Sequence, residues 1–131
     1  RDRLRSRGLG DVYKRQIFDS SFQLSKECAL AKRYIDSNYS QNITLDSLAE
    51  ITHINKFYLA HSFTECVGQS PINYLTDRRL EACKGLLVSS NLSVAQVATS
   101  VGFSSQSYFS QIFRKKTGMT PRQYRSRYAR K

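Results

Sequence analysis

The chain writes one pattern twice. Residues 58–74 read YLAHSFTECVGQSPINY and residues 108–124 read YFSQIFRKKTGMTPRQY, so Tyr58, Phe63, Gly68, Ser70, Pro71 and Tyr74 recur as Tyr108, Phe113, Gly118, Thr120, Pro121 and Tyr124. Upstream, Thr44-Leu45-x-x-Leu48-Ala49 aligns with Ser93-Val94-x-x-Val97-Ala98 at an offset of 49 residues, and one extra residue in the second turn lengthens the offset to 50. A chain of 131 residues has room for one compact domain or for two small units sharing a core. A pattern repeated at this period points to two copies of one supersecondary unit.

From Leu24 onward the apolar spacing is helical, with no alternating run long enough for a sheet. Leu24, Cys28, Ala31 and Ile35 form a stripe that predicts a helix from about Ser25 to Tyr39. Thr44 caps a short second helix carrying Leu45, Leu48 and Ala49. Asn55 caps a third, with Ile54 and Leu59 at the two staple positions, and Gly68 ends it. Ser70 followed by Pro71 opens a long fourth helix to about Val88, with Ile72, Leu75, Cys83, Leu86 and Leu87 available for burial and Gly85 weakening it slightly. Ser93 and Gln96 form a capping box for a fifth helix over Val94 to Ser100, and Gly102 supplies the next turn. Ser105 caps a sixth helix through Lys116, Gly118 stops it, and Thr120-Pro121 starts a seventh.

The expected fold class is therefore all-α, with about seven helices. Each repeat is a short capped helix, a turn, then a longer capped helix ended by glycine, which is the outline of a helix-turn-helix. The expected divisions are a first subdomain over residues 25–70, a linker helix over 71–88 and a second subdomain with a basic tail over 89–131. Residues 17–24 are a lead-in. Residues 1–16, RDRLRSRGLGDVYKRQ, have no apolar stripe and no signal-peptide core. GLGDVYKRQ resembles adapter-derived sequence at the edges of metagenomic reading frames, so the segment reads as non-native, with a disordered basic arm as the alternative.

Charge narrows the partner. The 21 Lys and Arg against 10 Asp and Glu give a net +11, which favours a polyanion, nucleic acid before an anionic membrane or an acidic protein. No apolar run approaches the ~20 residues that span a bilayer, so no membrane partner is expected and the location reads as cytoplasmic, on the nucleoid. Cys28, Cys66 and Cys83 are odd in number and sit in apolar-periodic segments, so they read as small core residues in a reducing compartment. His53, His61 and Cys66 match no zinc spacing, and no metal or cofactor is expected. No carboxylate pair, nucleophile with its base or glycine-rich phosphate loop suggests an enzyme.

Helical geometry then identifies the faces left over. In the third helix Leu59, Phe63 and Cys66 fall on one side, and Phe57, Ala60, His61 and Thr64 on the other. In the sixth, Phe109 and Phe113 take core positions and leave Ser107, Ser110, Gln111 and Arg114 outward. The outward stripes are small, polar, aromatic or cationic and carry no acid, which suits a DNA groove. Eighteen residues of joining helix at 1.5 Å each make a rod of about 27 Å, comparable with the ~34 Å between major-groove faces on one side of a duplex.

The stretches ITLDSLAE, YLAHSFTECVG, SPINYL, RRLEACKGLL, LSVAQVATSVGF, QSYFSQIFRKKTGMTP and QYR resemble the DNA-binding domain of AraC/XylS-type bacterial transcription regulators over about residues 29–125. The resemblance implies two helix-turn-helix units joined by a long helix, reading adjacent major-groove segments, in most members to activate transcription. It also implies that Phe57, Ala60 and His61 in the first unit, and Gln106, Ser107, Ser110 and Gln111 in the second, reach bases. Members often carry Arg where this chain has His61 and Gln111. They also usually carry an upstream sensor or dimerisation domain, which this chain is expected to lack.

On this reading the partner is double-stranded DNA, with RNA polymerase a candidate second partner. Lys56, Arg78, Arg79, Arg114, Lys115, Lys116 and Arg122, with helix-start amides, would hold phosphates. Gln106 and Gln111 suit adenine N6 and N7, His61 suits an acceptor such as guanine N7, and Phe57 suits a thymine methyl. The alternative is a protein-interaction module such as a polymerase-docking domain.

Overall fold

The computed structural model describes residues 26–129, so the expectations for residues 1–16, for the 17–24 lead-in and for Leu24 lie outside the described residues. Within them the protein is all helical. Helix α1 covers residues 26–38, followed by α2 (Leu45–Thr52), α3 (Lys56–Val67), α4 (Pro71–Ser89), α5 (Val94–Ser100), α6 (Gln106–Thr117) and α7 (Pro121–Tyr128). There is no strand among the described residues.

The punctuation in the sequence sets these boundaries. Asn55 accepts from the Phe57 N–H at 2.8 Å and Ser105 from the Tyr108 N–H at 3.1 Å. Ser93 with Gln96, and Thr120 with Gln123, close full capping boxes, each side chain satisfying the other residue's backbone N–H. At the other ends Gly68 and Gly118 hold φ of 95° and 81°, and their N–H groups return to Thr64 O and Arg114 O. Glycine takes that left-handed conformation without the Cβ clash that penalises other residues.

The chain divides into two compact units. The first is built from the described residues up to Arg33 and from Leu45–Pro71, the second from Tyr34–Thr44 and from Ile72 onward. In the first unit Cys28, Ala31, Leu48, Leu59 and Phe63 are buried, with Thr52 and Ser62 as buried polar members. Thr52 Oγ1 donates to Leu48 O at 2.9 Å and Cys28 Sγ donates to Ser62 Oγ at 3.2 Å, so both hydroxyls are satisfied. Ser62, rather than Cys66, completes the buried stripe. Cys66, expected in the core, is exposed, because the buried side of α3 runs through Leu59, Ser62 and Phe63.

The second unit has the larger core. Leu80, Cys83 and Leu87 of α4 meet Val97, Ala98 and Val101 from α5 and its end, Phe103 from the turn, and Phe109 and Phe113 of α6. The rings run on in contact, from Phe103 to Phe109 at 5.2 Å, Phe113 at 5.6 Å and Tyr124 at 5.4 Å between centroids. Two departures from expectation fall on α4. Ile72, expected to be buried, is 42% exposed, since Pro71 and Leu75 supply the inward side of that first turn. Leu86 is only half-buried at the edge of the cluster.

Candidate nucleic-acid interface

Within each unit, taken by itself, the second helix of the helix-turn-helix is pinned by one face and open on the other. Leu59, Ser62 and Phe63 hold α3 down, leaving Phe57 (72% exposed), His61 and Thr64 outward and Ala60 half-buried. Phe109 and Phe113 hold α6 down, leaving Gln106, Ser107 and Gln111 exposed and Ser110 half-buried. Thr64 turns its hydroxyl back to Ala60 O at 2.8 Å. Sequence reasoning passed over Tyr58 and Tyr108, which stand at matching positions of the repeat and are 66% and 51% exposed. Their recurrence was visible; their exposure was not, because tyrosine fits a core stripe equally well.

The cations sort into groups. Arg114 and Lys115 are exposed in the last turn of α6, where the helix dipole also favours positive charge. Lys116 shares that turn and bonds Asp77 of α4 at 3.1 Å. Arg122 is exposed in the first turn of α7, where the dipole opposes a cation, so stability does not account for it. Lys56 bonds Asp46 at 3.0 Å, with its ammonium 5.6 Å from the centroid of the Phe57 ring. Arg78 bonds Asp36 at 3.0 Å and stacks over Tyr39.

Arg79 is engaged inside the second unit. Its guanidinium donates to Tyr39 O at 2.6 Å and Gln41 O at 2.8 Å, and burial lowers its affinity for the proton. Arg125, which sequence reasoning did not single out, plays a similar part by donating to Leu87 O at 2.9 Å near the end of α4.

Among the described residues no group of His, Cys, Asp and Glu could hold a metal ion, and no helix is long and apolar enough to cross a membrane. What the two outer faces offer is amide, hydroxyl, imidazole and aromatic groups beside fixed cations.

A family described as a helix-turn-helix domain matches residues 48–127. The chain is 36% identical to the C-terminal domain of AraT, a response regulator from Geobacillus stearothermophilus, with a TM-score of 0.79 over 82% of this chain and 90% of that one. The protein belongs to the AraC-type helix-turn-helix family of transcription regulators. DNA binding and transcription regulation come with that membership. The DNA-binding domain of AdpA, the global transcriptional factor, solved in complex with a target DNA, is 26% identical with a TM-score of 0.68, over 80% of this chain and 91% of that one. Among curated relatives, the bifunctional transcriptional activator/DNA repair enzyme AdaA of Bacillus subtilis is 34% identical over 96 residues. The match covers 73% of this chain and 46% of AdaA, so the chain spans less than half the length of that relative.

Proposed function

We propose that this AraC-type chain reads a bipartite site on double-stranded DNA, with α3 in one major-groove segment and α6 in the next. Phe57, Ala60 and His61 face the bases of the first segment, and Gln106, Ser107, Ser110 and Gln111 those of the second. Gln106 and Gln111 present the paired donor and acceptor that match adenine N6 and N7, His61 serves an acceptor such as guanine N7, and Phe57 packs on a thymine methyl. Arg114, Lys115 and Arg122 hold phosphates, with Lys56, Arg78 and Lys116 available after exchanging their carboxylate partners. The chain performs no chemistry of its own. The output is activation, with RNA polymerase as the second partner and effector control residing in a separate sensor domain.

The observation that carries this reading is the outer face of α6, where exposed Gln106, Ser107 and Gln111 adjoin exposed Arg114 and Lys115 with no acidic side chain on the helix. A basic protein-docking face would need no such ordered set of amide and hydroxyl groups.

Selection of sites from a pool of random duplexes is the test. The expected consensus has two unlike segments about 10 bp apart and is bound by a monomer. A consensus with dyad symmetry that only dimers bind, or enrichment of no sequence at all, would overturn the proposal.

A further inference from the structure

Arg79 touches three separate pieces of the second unit. It rises from α4, its Nε and Nη2 donate to the carbonyls of Tyr39 and Gln41 just past the end of α1, and its guanidinium lies 5.7 Å from the centroid of Phe103. Phe103 and Gly102 form the turn between α5 and α6. A Cβ built on Gly102 would stand 2.8 Å from Arg79 Nε, so the guanidinium passes through space that any other residue would fill. Gly102 is also needed for its φ of 107°.

The turn is itself a closed motif. Phe103 N–H returns to Ala98 O at 3.0 Å and Gly102 N–H to Thr99 O at 3.1 Å, the paired bonds of a Schellman ending. Ser105, two residues on, caps α6 and hands the chain to Gln106 and Ser107. Any shift of Phe103 is therefore passed to the start of α6.

We infer that Arg79 is a positioning residue for sequence reading by α6: without touching DNA, it fixes the turn from which that helix departs. This rests on α6 being a reader, as proposed above. The role needs the shape of arginine. Two directional N–H groups meet two carbonyls while the flat face lies on a ring, and lysine, a point charge on a flexible stem, reproduces neither feature. Paired hydrogen bonds to a base edge weaken steeply with angle, so a small tilt of α6 costs discrimination before it costs affinity.

The test compares the full chain with Arg79→Lys, Arg79→Gln and Phe103→Leu, which removes the ring beneath the guanidinium and keeps an apolar core residue. Each is titrated with salt on the selected site, on the site altered in either segment, and on a scrambled duplex. Gln111→Ala identifies the segment that α6 reads. All three variants are expected to lose roughly tenfold discrimination in the α6 segment, about 1.4 kcal/mol. Discrimination in the α3 segment and the salt slope stay unchanged.

Full retention of α6-segment discrimination by Arg79→Lys would overturn the inference. So would a slope flattened by about 0.9 in Arg79→Gln, the mark of a lost phosphate contact. An equal loss on every duplex would also count against it, by showing a smaller folded fraction. If the wild type itself discriminated nothing, the reading of α6 would fail, a result distinguishable from all of these.

Discussion

His53 and Gly102 stand at the same step of the two repeats, and the backbone is left-handed at both, with φ of 62° and 107°. Histidine pays for that conformation with a Cβ clash of ~1 to 2 kcal/mol, against the ~0.5 to 1 kcal/mol that glycine costs in chain entropy. His53→Gly is therefore expected to stabilise the protein by up to about 1 kcal/mol, read as a raised midpoint in thermal unfolding; a lowered midpoint would reveal a stabilising contact of the imidazole. Cysteine reactivity is a second residue-scale outcome. Cys28 and Cys83 are buried, and burial pushes the Cys83 thiol up to about 12, whereas Cys66 is exposed. Brief alkylation of the folded protein near pH 8 should modify Cys66 and spare the other two, and mass mapping that found Cys83 labelled first would contradict this core. The apolar spacing of α3 pointed to Cys66 as buried in place of Ser62. Sequence periodicity ranks residues by polarity, and it could not show that the Ser62 hydroxyl would find a thiol partner across the helix pair.

At the scale of elements, the sequence was most informative where a boundary is enforced locally. Asn55, Ser93, Ser105 and Thr120 each satisfy N–H groups within three residues, and Gly68 and Gly118 each turn the chain at one position. Such interactions are written next to each other, and so they could be read. Contacts such as Arg79 on the Tyr39 and Gln41 carbonyls join residues about 40 apart, and nothing in the local pattern distinguishes that arginine from its neighbour Arg78. Arg78 shares Asp36 with Tyr74, whose hydroxyl donates to the same carboxylate oxygen at 2.6 Å, tying α4 to α1 within the second unit. Burial, then the bond to Asp36 and its charge, raise the Tyr74 phenol to about 12. Because the folded value lies above the ordinary value near 10, the linked stability is fully present below pH ~10 and is lost as pH rises towards 12. Tyr74→Phe should cost about 1 kcal/mol at neutral pH by removing the bond. It should also lessen the loss of stability between pH 10 and 12. Cys83 titrates in an overlapping window and is common to both proteins, so the difference between their pH profiles isolates Tyr74. Parallel profiles would show that the phenol is not held as described.

Over the whole molecule the net +11 is divided unevenly. Residues 17–81 hold six basic and eight acidic side chains, while residues 82–131 hold nine basic and none acidic. In the first unit Asp46 is already bonded to Lys56, which leaves the first reader with little free positive charge to offer a phosphate. The second unit should then supply most of the sequence-independent grip. Lys116 is the exception among its three consecutive cations, because Asp77 holds it at 3.1 Å and its release to a phosphate would leave that carboxylate exposed to the duplex. Each phosphate neutralised contributes about −0.9 to the slope of log K against log salt, so Arg114→Gln with Lys115→Gln should flatten the slope by up to ~2 units. Adding Lys116→Gln should change it little further. All sequences should weaken alike in these variants, because a lost phosphate contact carries no base information. Gln111→Ala is expected to do the reverse, leaving the slope intact and relaxing preference at one base pair by roughly 1 to 3 kcal/mol. The measurement is a salt titration of each variant on the selected and scrambled duplexes. An unchanged slope with lost discrimination in the double variant, or equal weakening of both duplexes by Gln111→Ala, would mean that the two edges of α6 have their roles reversed.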